Sequence, residues 1–406
     1  MSSVSRLWLI ANARLPSERA QSLQVMQTAA AFARAGVDST LVYARRRKAP
    51  TLPAGVSLYE HYQVPPGARP ALRQTDCIDW IDALPVSLQY FPARLQELTF
   101  SRNAARAVER EGDELVVYSR EIEAARRLLR RGRQQVFLEL HRVPAGELRR
   151  RWLREVLALA TGVVAISGGV REDLIALGAR EEAICVEHDG FDAQRFASRP
   201  TREQARAQLE LPQDAFIATY TGGLLAWKGA ELIVEAAREL PELTFVLAGG
   251  MAPDVERLRD RARGLANVRI DGFQPPERVA LYLSAADIGL APNRSQPAIS
   301  SKYTSPLKVF EAMAVGLPLV ASDLPSMREV LTHGLDAWLV PPDDASALAQ
   351  GVRRLAQDPE LRERLSSAFA RRASEHTWDA RARRLLTWMA TRAPARSAPM
   401  KSAQRR

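Results

Sequence analysis

Ser305-Pro306-Leu307-Lys308-Val309-Phe310-Glu311-Ala312-Met313-Ala314-Val315-Gly316-Leu317-Pro318-Leu319-Val320-Ala321-Ser322 is punctuated at both ends. Ser305 can cap a helix whose first position is Pro306, where a missing N–H is no loss, and Gly316 followed by Pro318 stops it. The apolar run Leu319-Val320-Ala321 comes directly after, so the unit reads loop, short helix, buried strand. One carboxylate, Glu311, is left inside the helix. The small-residue loop ahead of it offers unpaired N–H groups at a partly positive helix end, which suits a phosphate or diphosphate. A helix that only packs, with Glu311 solvated or paired to Lys308 three residues earlier, fits the same letters.

Outward from this unit, strand-like runs alternate with helical periods along most of the chain, as expected of α/β units with parallel sheets. In the first half the strand candidates are 7–10, 39–43, 114–118, 136–140 and 163–166. An alanine-rich helical stretch, Ala20 to Ala35, lies between the first two and ends at Gly36. The pattern restarts at 216–220 and continues through 244–248, 268–270, 288–291 and 319–321. Two successive doubly wound sheets explain this economically. Their boundary is expected near Phe191 to Pro212, where the polar stretch 197–203 separates the two series. Ligands of open α/β sheets collect outside the carboxyl ends of the strands, so two facing sheets predict a cleft between domains.

Composition sets the outer limits. With 406 residues, 46% of them hydrophobic, each of two domains can bury a core. No apolar run approaches the ~18 residues needed to span a bilayer. The apolar stretch Leu7–Ala11 is too short for a secretory leader, and Cys77 and Cys185 make neither a disulfide framework nor a metal spacing. A cytoplasmic setting is the expectation. The net charge of +10 sits in arginine clusters at 45–48, 126–133 and 149–154, which attract phosphates of any kind. No base-stacking or groove-reading motif accompanies them, so nucleic acid is not an expected partner. In Glu147 to Ala160 a stripe of Leu148, Trp152, Val156 and Leu159 opposes Arg149, Arg150, Arg151 and Arg154. It reads as a helix packed on a sheet, or as a basic face able to touch an anionic membrane.

Three further stretches follow strands, where chemistry is expected. Thr219 to Gly229 holds Gly222 and Gly223, which allow close backbone approach, and Lys228, a mobile cation for phosphate oxygens. Asp271-Gly272-Phe273-Gln274-Pro275 is a βα turn. Asn12 to Ser22 lacks G-x-G-x-x-G, which removes the main support for a nicotinamide-binding reading. Tyr118-Ser119-Arg120 and Glu139-Leu140-His141 end two successive strands and face the same cleft.

The segment 305–322, together with Gly222 to Gly229, resembles the donor-nucleotide signature of retaining GT-B glycosyltransferases of family four (glycosyl transferases group 1). The Ser-Pro-Leu-Lys loop resembles a sub-pattern of that family. The resemblance covers nearly the whole chain, densely in the second half. It implies a GT-B fold, α/β with two Rossmann-like doubly wound domains. These would be an acceptor-side domain over 1–195 and a donor domain over 196–375. A C-terminal helix over 376–390 would return to the first domain, ahead of a disordered basic tail, 391–406. It implies that Glu311 holds the ribose of a sugar nucleotide and that Lys228 meets its diphosphate. Gly223 stands where the family has an arginine and Tyr303 where it has a first glutamate, so Lys308 would supply the missing charge. Gly222, Phe273, Thr304, Ser305, Pro306 and Leu307 complete the implied donor site. Arg14, Arg19, Ser22 and Arg120 are implied on the acceptor side, and His141 beside the reacting sugar. The resemblance further implies sugar transfer with retention from a nucleoside diphosphate sugar to an acceptor hydroxyl. The acceptor would be a sugar or a lipid-linked molecule in envelope polysaccharide, glycolipid or glycoside synthesis, at the inner face of the membrane. No Asp-x-Asp motif occurs, so neither a metal nor another cofactor is expected. Two other readings stand beside the transferase reading: a GT-B epimerase or phosphorylase, which would handle a free sugar nucleotide or a phosphate acceptor, and a basic, non-catalytic binding protein, suggested by Tyr303 and Gly223.

Overall fold

A computed structural model of the chain describes residues 4–17 and 20–392. The expected tail beyond Arg392 lies outside the described residues. Seven parallel strands form the first sheet: β1 Arg6–Arg14, β2 Asp38–Ala44, β3 Ala71–Thr75, β4 Val116–Ser119, β5 Val136–Leu140, β6 Gly162–Ala165 and β7 Ile184–Val186, in the order β3-β2-β1-β4-β5-β6-β7. Six more form the second: β8 Ile217–Thr221, β9 Thr244–Ala248, β10 Val268–Gly272, β11 Ile288–Ala291, β12 Leu319–Ser322 and β13 Ala337–Val340, in the order β10-β9-β8-β11-β12-β13. Strand order reverses between β1 and β4 and again between β8 and β11, which opens a crevice at the carboxyl ends of each pair.

Both sheets are covered on both faces, and the alternation of side chains along each strand explains why. Leu7, Leu9 and Ala11 of β1 enter one core while Trp8 and Ile10 enter the other. In the second sheet Leu319 and Ala321 of β12 point to one face and Val320 to the opposite one. Strands buried on both sides read as continuous apolar runs, so the sequence shows them. Three strands escaped that reading. Edge strand β3, Ala-Leu-Arg-Gln-Thr, is half polar, β7 has only three residues, and β13 is short although its Ala-Trp-Leu-Val is apolar.

The helix Glu147–Leu159 corrects one expectation. Its buried residues are Leu153, Val156 and Leu157, whereas Leu148 and Leu159 are exposed and Trp152 lies under the Arg126 guanidinium at 5.1 Å. Residues 153, 156 and 157 share one helical face with the sheet, and the stripe drawn through 148 and 159 runs off its edge.

Two chain crossings join the domains. The first is 187–192, where Phe191 already belongs to the second core, as does Phe196 beyond it. At the second crossing, the helix Trp378–Ala390 packs back on the first domain, with Trp378, Leu385, Leu386 and Met389 in its core. The crossings touch: Phe191 N–H donates to His376 O at 3.0 Å and Trp378 N–H to Phe191 O at 3.1 Å. A Cβ on Gly190 would stand 2.7 Å from His376 O, so only glycine admits this approach. No helix among the described residues is long and apolar enough to cross a membrane.

Candidate functional site

The carboxyl ends of β8, β9 and β10 meet backbone to backbone. Gly222 N–H donates to Ala248 O at 2.9 Å and Gly249 N–H to Gly272 O at 2.5 Å. A Cβ on Gly249, whose φ is +127°, would lie 2.1 Å from Gly222 O. Glycine is therefore required where these loops close the floor of the crevice. Tyr220, fully buried, donates its hydroxyl to Gly223 O at 2.7 Å and holds the loop down. After a short 3-10 turn, Ala226–Lys228, Gly229 begins the helix Ala230–Arg238 at φ +74° without any side-chain cap.

Two lysines converge on this floor. Lys228 Nζ lies 3.5 Å from the place a Gly223 Cβ would take, and Lys308 Cε 3.8 Å from the place a Gly222 Cβ would take. Lys308 Nζ stands 3.9 Å from the centre of the Tyr220 ring, out of reach of solvent and without a hydrogen-bond partner. Burial pushes both amines below the usual lysine range, Lys308 well below it. Lys228 adds to that depression at Lys308, and Glu311 opposes it at both. Glu311 itself pairs with Arg195, Oε1 to Nη2 at 2.5 Å, both side chains being largely buried. Burial raises the Glu311 carboxyl above its usual value, against the pull of Arg195 and the two lysines. One carboxylate thus faces three basic groups at a half-buried site. Such a site has a deficit of negative charge and an orphaned donor, which an anion would remedy.

The loop before the helix Leu307–Val315 departs from the expected cap. Ser305 does not bond its own helix; its Oγ accepts the Asp189 N–H from the first domain at 2.7 Å. Pro306 is the N-cap and not the first helical residue, and no side chain caps the turn. The buried Asp189 N–H needs an acceptor, and that need overrides the local capping rule. Gly316 ends the helix at φ +68°, as its place predicts. Thr304 Oγ1 donates to Ile299 O. Tyr303 donates its hydroxyl to Asp173 in the helix Gly168–Ala176 and packs on the first domain's core. Its place is the contact between domains. That contact continues with Ser167 Oγ donating to Lys302 O at 2.7 Å and Gly168 N–H to Glu329 at 2.7 Å.

Across the interface, β5 supplies Glu139, which gathers His141 Nε2 at 2.8 Å, Arg120 Nε at 3.4 Å, Arg381 Nη2 at 2.7 Å and the Tyr118 hydroxyl. Arg120 Nη2 also lies 2.7 Å from His141 Nε2. Burial alone would raise the Glu139 carboxyl, but Arg381 and Arg120 outweigh it and hold it well below its usual value. Asp189 nearby takes the Gln24 amide at 2.5 Å. His141 and Arg120 therefore stand together, as expected for residues ending adjacent strands. Arg14 is engaged elsewhere, with Asp82 at 2.9 Å, and buried Ser22 donates to Arg14 O at 2.9 Å. Phe273 lies on its loop, 42% exposed. Arg19 is outside the described residues.

Arg195, Arg381 and Gly249 belong to the site and were not anticipated. The Gly249-Gly250 pair after an apolar run was a readable signal. Arg195 and Arg381 carried none, since their partners lie 116 and 242 residues away.

Residues 201–372 match the family model described as glycosyl transferases group 1. Among curated proteins, the chain is 29% identical over 248 residues to "D-inositol 3-phosphate glycosyltransferase 1" of Catenulispora acidiphila, covering 57% of each. It is 36% identical over 164 residues to "Alpha-D-kanosaminyltransferase" of Streptomyces kanamyceticus, 39% of this chain and 40% of that protein. The chain spans about half the length of the curated relatives it matches. Among solved structures it superposes on Anabaena Alr3699/HepE in complex with UDP, with a TM-score of 0.70 at 18% identity, covering 96% of this chain and all of that one. Sucrose-phosphate synthase of Thermosynechococcus elongatus gives 0.72 at 23%, covering 94% and 97%. The fold is GT-B.

Proposed function

We propose that the chain is a retaining glycosyltransferase, moving a sugar from a nucleoside diphosphate sugar to an acceptor hydroxyl. The observation that carries this reading is the orphaned Lys308 Nζ, set with Lys228 over the glycine floor of β8 and beside the Arg195–Glu311 pair. The relatives named glycosyltransferases, and the neighbour solved with UDP, support it and make uridine diphosphate the first nucleotide to test.

In this reading the diphosphate lies against Lys228, Lys308 and the free N–H groups at the start of the helix 307–315. Glu311, oriented by Arg195, accepts hydrogen bonds from the ribose hydroxyls. Fixed cations in a half-buried site stabilise charge growing on the leaving diphosphate, without reorganisation at the moment of reaction. Glu139 is saturated by Arg381, Arg120 and His141, which argues against its serving as a nucleophile. The anomeric carbon then loses its bond to the diphosphate and gains one to the acceptor oxygen on the same face. The acceptor's proton passes to a leaving phosphate oxygen. Because lysines meet the diphosphate charge, turnover is expected to survive chelation of divalent metals.

Calorimetric titration with UDP, and turnover of UDP-sugars in wild type, Lys228→Ala and Glu311→Ala, test the reading. Binding by the wild type and a loss of at least about tenfold in either variant are expected. Equal turnover in all three would reject it.

A further inference from the structure

The carboxyl edge of the first sheet carries a feature that the donor site does not use. From the segment after β3 into the first turn of the helix Tyr90–Val108 the chain leaves Trp80, Leu84, Leu88, Tyr90 and Phe91 exposed, Phe91 to 80%. Several large apolar side chains exposed along one segment mark an interaction surface, and here the Tyr90 and Phe91 rings also touch, 5.6 Å between centroids. Two carboxylates of this segment are already neutralised, Asp79 by Arg46 and Asp82 by Arg14, each at 2.9 Å. Glu123 bonds both Arg94 and Arg149 at 3.1 Å, so the first turns of Tyr90–Val108 and Glu147–Leu159 are neighbours. The second of these helices exposes Leu148, Arg150 and Arg151 there. Exposed Arg47 and Lys48 lie against the same segment, with Lys48 Nζ on Asp82 O at 3.0 Å. Among the described residues, the side chains of Arg47, Arg142, Arg150 and Arg151 make no ion pair or hydrogen bond. Because every strand is parallel, the loops after β2, β3 and β5 leave the same edge. From β3 to β5 they span four strand spacings, about 19 Å.

We infer that this edge docks on an anionic phospholipid bilayer, with the Trp80–Phe91 segment at the headgroup boundary and Arg47, Lys48, Arg142, Arg150 and Arg151 on lipid phosphates. Trp and Tyr favour that boundary, and unpaired cations are drawn to its negative potential. The same cations argue against a second copy as occupant, since a symmetric dimer through this face would bring them together. The site differs from the amphipathic helix face considered from sequence: its apolar part comes from the segment after β3. The consequence that the sugar acceptor is held at a membrane surface rests on the function proposed above; the docking does not.

The test is flotation of the full chain with vesicles of phosphatidylcholine alone and of phosphatidylcholine with phosphatidylglycerol, at low and raised salt. Wild type is expected to float with the anionic vesicles, less so at raised salt, and poorly with neutral ones. The triple variants Trp80→Ser/Leu88→Ser/Phe91→Ser and Arg47→Glu/Arg150→Glu/Arg151→Glu should each lose about tenfold or more in partitioning, with wild-type melting temperature and UDP affinity. A wild type that stays unbound, or variants that float like it, would overturn the inference. So would a dimer in sedimentation that the apolar triple variant dissociates while vesicle binding is absent. Vesicle binding needs no donor, so a failure of UDP binding leaves this result readable.

Discussion

Replacing Glu311 with glutamine removes the one negative charge among Arg195, Lys228 and Lys308 and leaves the shape nearly unchanged. Breaking a buried pair from one side costs about 3–5 kcal/mol, because the remaining charge has no compensation. Glutamine still offers Arg195 an acceptor, so the low end, about 3 kcal/mol, is expected. For a domain of this size that is roughly 6–12 °C of melting temperature. The ribose hydroxyls would meet a neutral amide where the carboxylate made charge-assisted bonds. At about 1 kcal/mol lost per bond, two bonds amount to roughly 30-fold in UDP affinity. Thermal melts and calorimetric titration with UDP read the two effects separately. The double variant Glu311→Gln/Arg195→Met should recover stability and not affinity, since it removes the uncompensated charge and leaves the ribose unserved. UDP affinity within about threefold of wild type in Glu311→Gln, alongside the expected loss of stability, would refute the ribose role and leave Glu311 a structural residue.

Three other outcomes follow from the geometry. Gly249→Ala should destabilise the second domain by about 3 kcal/mol in urea melts, since its Cβ would clash with Gly222 O at 2.1 Å from a φ of +127°. Above pH 7, where the charge of the diphosphate is constant, UDP affinity should weaken as pH rises. The Lys308 amine loses its proton below the usual lysine range, and Lys308→Met should flatten that slope in calorimetry. Burial lowers His188 from 6.5 to about 4. The unfolded chain therefore binds a proton that the folded one refuses, and stability should fall as pH drops from about 6.5 to 4, by roughly 3 kcal/mol from this residue. Urea midpoints at pH 7 and pH 5 check this, and a His188→Gln variant should lose less.

Runs such as Val136–Leu140, Thr244–Ala248 and Ile288–Ala291 were legible to the residue because a strand buried on two faces must be apolar throughout. Lys228 and Glu311 were legible as candidates because each stands beside glycine or helix punctuation, whereas Lys308 was named through the family resemblance. Ser305 misled for an instructive reason: its hydroxyl obeyed the stronger demand of a buried amide from another domain. Tyr303 could not be read either, because its partner, Asp173, lies on the opposite domain.

Local chemistry alone therefore determined the α/β alternation and the two sheets, and it singled out Lys228 and Glu311 as candidates; a donor role for them and for Lys308 was implied only by the family resemblance. The alternation, the sheets and the two candidates depend on periodicity and on the few residues that break it. Which charge answers which was decided only by the tertiary structure: Arg195 on Glu311, Arg381 on Glu139, and, among the described residues, no hydrogen-bond partner for Lys308 Nζ. Electrostatic interactions act through space and scale with burial. Neither quantity exists along a sequence until the chain has closed its two domains on each other.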